Sequence, residues 1–251
     1  MMKATTLLAA AAVLALSVGT ATAAPGPHVT AAIADAARPQ ADKDRDVGRK
    51  PAEMLEFAGV KPGDKVADFI PGGGYFTRIF AKAVGPKGKV YAVINAPPVG
   101  GPAPPNPPPI RAVAAEPAYG NIEVVQVPLV DMKLPEPVDV LWTSQNYHDI
   151  YVRNPENGRK ATKAIYDALK PGGVFVVLDH AAPAGTAIDP ADRTHRIDPA
   201  IVRKEVEAVG FKFEGESKAL RNPADDYTKA VFDPAVRGKT DQFIYKFRKP
   251  K

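Results

Sequence analysis

Three of the four histidines lie beside or near carboxylates, in Tyr147-His148-Asp149, Asp179-His180 and His195-Arg196-Ile197-Asp198. Imidazole titrates at about 6.5, so it can take a proton from a hydroxyl nucleophile near neutral pH or ligate a metal through nitrogen. His148 is the first candidate for a general base, with Asp149 and His180 beside it in the catalytic set. Neighbours along a strand point to opposite faces, so sequence adjacency does not establish contact between a His and an Asp. A metal-dependent enzyme built on His148, Asp149, Asp179 and His180 is an alternative, since nitrogen and carboxylate ligands suit zinc or iron. No short histidine motif supports it, and no metal ligand is assigned. The chain has no Cys, which excludes a disulfide scaffold, a thiolate zinc site, an iron–sulfur cluster and a cysteine nucleophile.

A second group of residues suits ligand binding. In Val66-Ala67-Asp68-Phe69-Ile70-Pro71-Gly72-Gly73-Gly74-Tyr75-Phe76-Thr77, an apolar strand runs into glycines and then a helix. Glycines there let the backbone approach a ligand and aim amide N–H groups at it. Thr77 stands where a dinucleotide fingerprint needs its third glycine, and no phosphate-loop lysine follows. An acid late in the strand, followed by a glycine loop, suits a ligand with an amino group and no phosphate.

Alternating apolar runs must position these residues. Strands are expected at 65–70, 89–94, 122–127, 138–143, 174–178, 211–218 and 242–247, and helices at 51–57, 75–84, 159–169 and 198–209. Such alternation predicts an α/β domain, a mostly parallel sheet with helices on both faces. Its ligand then binds outside the carboxyl ends of the strands, where three of the histidines fall. Tyr75, Tyr147 and Tyr151 are candidates to wall such a site, and Trp142 reads as core. Between 97 and 109, eight of thirteen residues are proline, which reads as a surface insertion, or as a stiff lid beside the pocket.

Residues 1–23 have the build of a secretory signal peptide: Lys3, an uncharged apolar stretch over 7–18, and an Ala21-Thr22-Ala23 cleavage pattern. That predicts a periplasmic or secreted protein beginning near Ala24, with no membrane span. Residues 24–44 read as a loose lead-in, and 45–251 as the single folded domain. The formal charge of +5 is scattered along the chain, so no nucleic-acid partner is expected.

The order of these pieces resembles class I S-adenosylmethionine-dependent methyltransferases, and more narrowly a bacterial group of exported proteins of that fold. Asp68 with Gly72 and Gly74 looks like the first methyltransferase motif, and Leu169-Lys170-Pro171-Gly172-Gly173 like the turn before the fifth strand. Val206-Glu207-Ala208-Val209-Gly210-Phe211 looks like the last helix and sixth strand. Ser144-Gln145-Asn146-Tyr147-His148-Asp149 and the segments around 179–182, 195–198 and 220–226 look like signatures of the narrower group. The resemblance implies a Rossmann-like seven-stranded sheet with its last strand antiparallel. It implies S-adenosyl-L-methionine as cofactor, held by Asp68, Pro71, Gly72, Gly73, Gly74, Tyr75, Asn95, Asp131, Met132 and Asn146, and methyl transfer to a small-molecule acceptor. Two positions depart from the family: Ile70 stands where glycine is usual, and Asn95 follows the second strand where an acid usually holds the ribose. An exported binding protein that keeps the fold without catalysis is the second alternative.

Overall fold

The computed structural model describes residues 24–97, 105–151, 154–189 and 192–251. Residues 1–23, expected to be a signal peptide, and most of the proline-rich insertion lie outside the described residues. In chain order the helices are α1 (Pro27–Ala34), α2 (Gln40–Lys43), α3 (Asp46–Arg49), α4 (Pro51–Ala58), α5 (Tyr75–Val84), α6 (Ile110–Ala115), α7 (Tyr147–Tyr151), α8 (Pro155–Ala168) and α9 (Pro199–Ala208). The strands are β1 (Lys65–Phe69), β2 (Lys89–Asn95), β3 (Ile122–Val127), β4 (Val138–Ser144), β5 (Leu169–His180), β6 (Lys212–Ser217) and β7 (Gln242–Arg248).

They form one seven-stranded sheet in the order β3-β2-β1-β4-β5-β7-β6. β1 to β5 pair in parallel, and β7 runs antiparallel to both its neighbours, as expected. The central strands are buried along most of their length rather than on alternate residues, because helices cover both faces. One core packs α1, α4 and α5 on the sheet through Met54, Leu55, Ile79, Phe80 and Trp142. The other packs α7, α8 and α9 on the opposite face through Tyr147, Ile165, Phe175, Val202 and Phe247.

Several elements differ from the sequence expectation, among them short helices α3, α6 and α7 where none was expected. Residues 24–44 are not a loose lead-in: α1 and α2 lie there, with Val29 and Ala32 buried against the core. Arg38 is buried and donates to both carboxylate oxygens of Asp46, at 2.6 and 2.9 Å, tying this segment to α3. α8 begins at Pro155, earlier than expected, because Asn154 caps it by accepting from the Glu156 amide at 3.0 Å. β5 begins at Leu169, and the following Lys170-Pro171-Gly172-Gly173 bulges out before pairing with β4 resumes at Val174. Gly172 takes φ +78° at that bulge.

Candidate functional site at the carboxyl edge of the sheet

The ends of β1, β2, β4 and β5 open into three adjoining cavities. The largest, about 570 Å³, lies between the loop after β1 and the ends of β2 and β3, with Gly72, Ile94, Asn95, Leu129 and Val130 among its walls. A second, about 280 Å³, sits on the other side of the same loop, between Asp68, Tyr75, Arg45, Arg49 and Gln145. A third, about 460 Å³, shares Arg45, Arg49 and Gln145 with the second and continues to His180, Phe232 and Gln242.

The loop between β1 and α5 separates the first two cavities, and Ile70, Pro71 and Gly72 line both. Ile70 takes φ +59°, a left-handed conformation unusual for a β-branched residue. Its amide donates to the Val93 carbonyl at 2.9 Å, and its carbonyl accepts from Asn146 Nδ2 at 2.8 Å. The backbone therefore keeps a glycine-like conformation although the side chain is Ile. Gly72, at φ +57°, has open space where a Cβ would project. Gly74 is different: a Cβ there would meet Ile110 Cδ1 at 2.9 Å and Val113 Cγ2 at 3.3 Å, both on α6. Gly72 thus faces the ligand space, and Gly74 is small so that α6 can pack on the start of α5. Gly73 also lines the second cavity.

Asp68 is buried at the floor of the second cavity. Its one hydrogen-bond partner among the described residues is Thr77, whose hydroxyl donates to Oδ2 at 2.6 Å. Burial pushes its carboxyl up to about 7, against the Thr77 hydrogen bond and the Arg49 charge. A carboxylate with so little compensation suits a cationic ligand group. Arg49 faces the same cavity from α3 and donates to Gln145 Oε1 at 2.8 Å. Burial and the neighbouring Arg45 lower its guanidinium from its ordinary value. Both guanidiniums stand over the Tyr75 ring, at 4.9 Å for Arg45 and 4.7 Å for Arg49, and the Tyr75 hydroxyl donates to Asp46 at 2.6 Å. Tyr75 therefore walls the second cavity as expected. Arg45 and Arg49 escaped the sequence reading, because they sit on the short α3 and the turn before it, without a motif; Gln145 entered only as part of a family signature and not as a site residue.

Other predicted contacts fall differently. Asn95 lines the large cavity, and its Oδ1 accepts from the Leu129 amide at 3.4 Å. Asp131 points to solvent and pairs with Lys133 at 3.7 Å, while Met132 is buried in the core below. Neither reaches the cavity; Leu129 and Val130 take the place expected of them. Asn146 lines the second cavity, but its amide is committed to the end of β1, and Thr143 donates to its Oδ1. Tyr147 and Tyr151 are buried core residues around the Thr162 hydroxyl, not walls of the site, and Trp142 is core as expected.

The histidines divide into two environments. His148 opens α7, and its Nδ1 lies 2.9 Å from Oδ1 of the fully buried Asp179. The His148 amide donates to the other Asp179 oxygen at 2.8 Å. Burial alone would lower the His148 pKa, but Asp179 and Asp149 outweigh it and raise it to about 9. Asp179 thus favours the protonated form of His148, against the neutral imidazole expected of it. His180 behaves oppositely. Burial lowers it to about 4, so it is neutral at pH 7. Its Nδ1 is 2.8 Å from the Thr240 hydroxyl, and the ring borders the third cavity. Asp149 is half-exposed on the rim of the large cavity, and burial raises its carboxyl above the ordinary range. His195 is brought to within 5.5 Å of the His148 ring, centroid to centroid.

A seven-stranded sheet in this order, with one antiparallel strand and a glycine loop after a buried acid, is the Rossmann-like fold of class I S-adenosylmethionine-dependent methyltransferases. No family model matches the chain. In sequence it is similar to the ubiquinone/menaquinone biosynthesis C-methyltransferase UbiE of Ectopseudomonas mendocina, with 27% identity over 182 residues, covering 69% of this chain and 59% of the relative. It thus spans about six-tenths of that relative's length. Among solved structures it is similar to a SAM-dependent methyltransferase from Aquifex aeolicus (TM-score 0.57, 18% identity, 83% of this chain and 95% of that one). It is also similar to the glycopeptide N-methyltransferase MtfA complexed with sinefungin (TM-score 0.55, 14% identity, 82% of this chain and 87% of that one).

Proposed function

We propose that this chain binds S-adenosyl-L-methionine across the first two cavities and transfers its methyl group to a small polar acceptor in the third. The observation that carries this reading is Asp68, a buried, under-compensated carboxylate beside a loop whose Gly72 backbone is bare on the cavity side. Asp68 would accept from the cofactor's ammonium, and Arg49 would meet its carboxylate from the opposite wall. Asn95 offers the ribose a single amide, and Ile94, Leu129 and Val130 give the base apolar walls. When bound, the cofactor supplies a methyl carbon on a sulfonium, so the protein's part is placement and solvent exclusion.

The third cavity adjoins the second through Arg45, Arg49 and Gln145, which puts an acceptor next to the cofactor's amino-acid end. Arg45, Arg49 and Arg237 suit an acceptor carrying an anionic group. His180 borders that space and takes the base role first expected of His148: it is neutral and can accept a proton, although the burial that keeps it neutral makes it a weaker base than free imidazole. Export to the periplasm or beyond belongs to the same reading, on the strength of the Ala21-Thr22-Ala23 pattern. N-terminal sequencing of native protein should begin near Ala24, and an intact Met1 on cytoplasmic material would remove this part.

Calorimetry with S-adenosylhomocysteine tests the binding core of the proposal. The parent should bind one equivalent, and Asp68→Ala should lose about 10- to 150-fold in affinity, the worth of a hydrogen bond to a charged group. No binding by the parent, or equal binding by the variant, overturns the reading.

A further inference from the structure

Four side chains on the α7 side of the cleft bring their ligand atoms together. His148 and Asp149 come from α7, and Asp192 and His195 from the segment between β5 and α9. One nitrogen or oxygen from each lies within 4.8 Å of all the others. His148 Nε2 is 3.3 Å from Asp149 Oδ1, and His195 Nδ1 is 2.7 Å from Asp192 Oδ2 and 4.0 Å from Asp149 Oδ1. Ligands of a tetrahedral zinc ion, bound at about 2.0–2.2 Å, stand about 3.3–3.6 Å from one another. These separations therefore bracket the edge of such a tetrahedron, and small rotamer changes close the remainder.

An independent feature sets the direction of His148. Asp179, behind the ring and fully buried, accepts from His148 Nδ1 at 2.9 Å and from its backbone amide at 2.8 Å. That fixes the Nδ1–H tautomer and turns Nε2 toward Asp149, Asp192 and His195. A carboxylate that orients and polarises an imidazole from behind is the usual support of a metal-binding histidine. A half-exposed ion-pair cluster needs no such buried anchor. The neighbouring His180 points elsewhere, with its Nδ1 engaged by Thr240.

We infer that His148 Nε2, Asp149, Asp192 and His195 Nδ1 form a binding site for one divalent transition-metal ion of the zinc type. Two imidazoles and two carboxylates favour Zn²⁺, Fe²⁺ or Co²⁺ over Mg²⁺ and Ca²⁺, which prefer oxygen alone. The ion sits between His148 Nε2 and the carboxylates that face it. It also offsets Asp149, Asp192 and the buried Asp179, which otherwise crowd three carboxylates around two rings. The set differs from the one the sequence suggested: Asp192 and His195 replace Asp179 and His180, and Asp179 moves to the supporting shell.

Chelator-stripped protein, with no cofactor added, is titrated with Zn²⁺ alone by calorimetry and with Co²⁺ by visible absorption. One Zn²⁺ per chain at micromolar affinity or tighter is expected, with intense tetrahedral Co²⁺ bands and a melting temperature that rises with free Zn²⁺. Asp149→Asn and His195→Gln, both at partly exposed positions, should keep the circular dichroism spectrum and the metal-free melting temperature while losing more than tenfold in Zn²⁺ affinity. Asp179→Asn should weaken binding by about 10- to 100-fold, as supporting-shell changes do. If the parent binds no Zn²⁺, or if well-folded Asp149→Asn and His195→Gln bind it as tightly as the parent, the site does not exist. Because the titration omits the cofactor, its outcome is separate from that of the methyl-transfer reading.

Discussion

The two halves of the cleft are built on different principles. The β1–β2 half is backbone and apolar wall around one buried acid: Asp68, a bare Gly72, and Ile94 with Leu129 beside them. The β4–β5 half is crowded with titratable groups, with His148, Asp149, Asp179, His180 and His195 within reach of one another. On the proposed reading the first half recognises a ligand by shape and by two charges, Asp68 for its ammonium and Arg49 for its carboxylate. The second sets protonation states apart, with His148 raised to about 9 and His180 lowered to about 4 although their ring centres are 6.4 Å apart. Asp179 accounts for the contrast, because it bonds the His148 ring and not the His180 ring. A fold that receives its reactive carbon from a cofactor needs little chemistry in one half and can concentrate it in the other.

The largest expected effect concerns glycine size within the first half. Gly74→Val forces a side chain against Ile110 and Val113 at φ +82°. Overpacking costs about 1–3 kcal/mol and a left-handed non-glycine residue about 1–2 more. A loss of about 2–5 kcal/mol in urea unfolding is expected, so this variant reports on packing and not on the ligand. Gly72→Ala meets no atom within 4 Å and should lose only the backbone component, about 1–2 kcal/mol. Equal losses for the two would remove the distinction between a packing glycine and a ligand-facing one.

The next effect is electrostatic and separates the halves by pH. The Asp68 pKa is raised by burial to about 7, so folded protein holds a proton there that the unfolded chain releases near 4. The sign follows: this group favours folding below pH 4, and its contribution is lost as pH rises from 4 through 7. Thermal melts of the ligand-free parent and Asp68→Asn should diverge over that window, with the variant gaining relative stability as pH rises. Cofactor affinity should run the other way, since the ammonium needs an ionised Asp68. S-adenosylhomocysteine binding should tighten up to about tenfold per pH unit between 5 and 7 and then level off. Loss of that slope in Asp68→Asn assigns it to this residue; an unchanged slope takes Asp68 out of ligand recognition.

How much of this was legible depends on how local each feature is. β1, the glycine loop and α5 are consecutive, so their chemistry is written in one run of residues, and the sheet followed from apolar runs of strand length. α1 was not legible, because its weakly patterned Ala-rich segment owes its order to Val29, Ala32 and Arg38 docking on distant elements. The convergence of Asp192 and His195 on His148 spans more than forty residues and depends on how the segment after β5 folds back. Asp131 and Met132 failed for a subtler reason. The short turn at Leu129–Asp131 rotates successive side chains into the cavity, to solvent and into the core, and no composition rule says which goes where.

The smallest effect tests the most local feature, the left-handed Ile70 where the two cavities meet. Such a conformation costs a β-branched residue about 1–3 kcal/mol and persists only when its surroundings over-determine it. Here the Val93 carbonyl and the Asn146 amide hold the peptide groups on either side. Ile70→Gly removes the strain but also the half-buried side chain, and glycine adds about 0.5–1 kcal/mol of unfolded-state entropy. These contributions oppose one another, so stability should change by less than about 1 kcal/mol. Ile70→Ala loses nearly the same apolar contact yet keeps a Cβ in the left-handed well. The glycine variant should therefore be more stable than the alanine variant by about 1 kcal/mol, the reverse of the usual order. Urea unfolding of both proteins decides it. An alanine variant equal to or more stable than the glycine one means that the loop relaxes out of the left-handed region, and that the first half of the cleft does not hold its shape without a ligand.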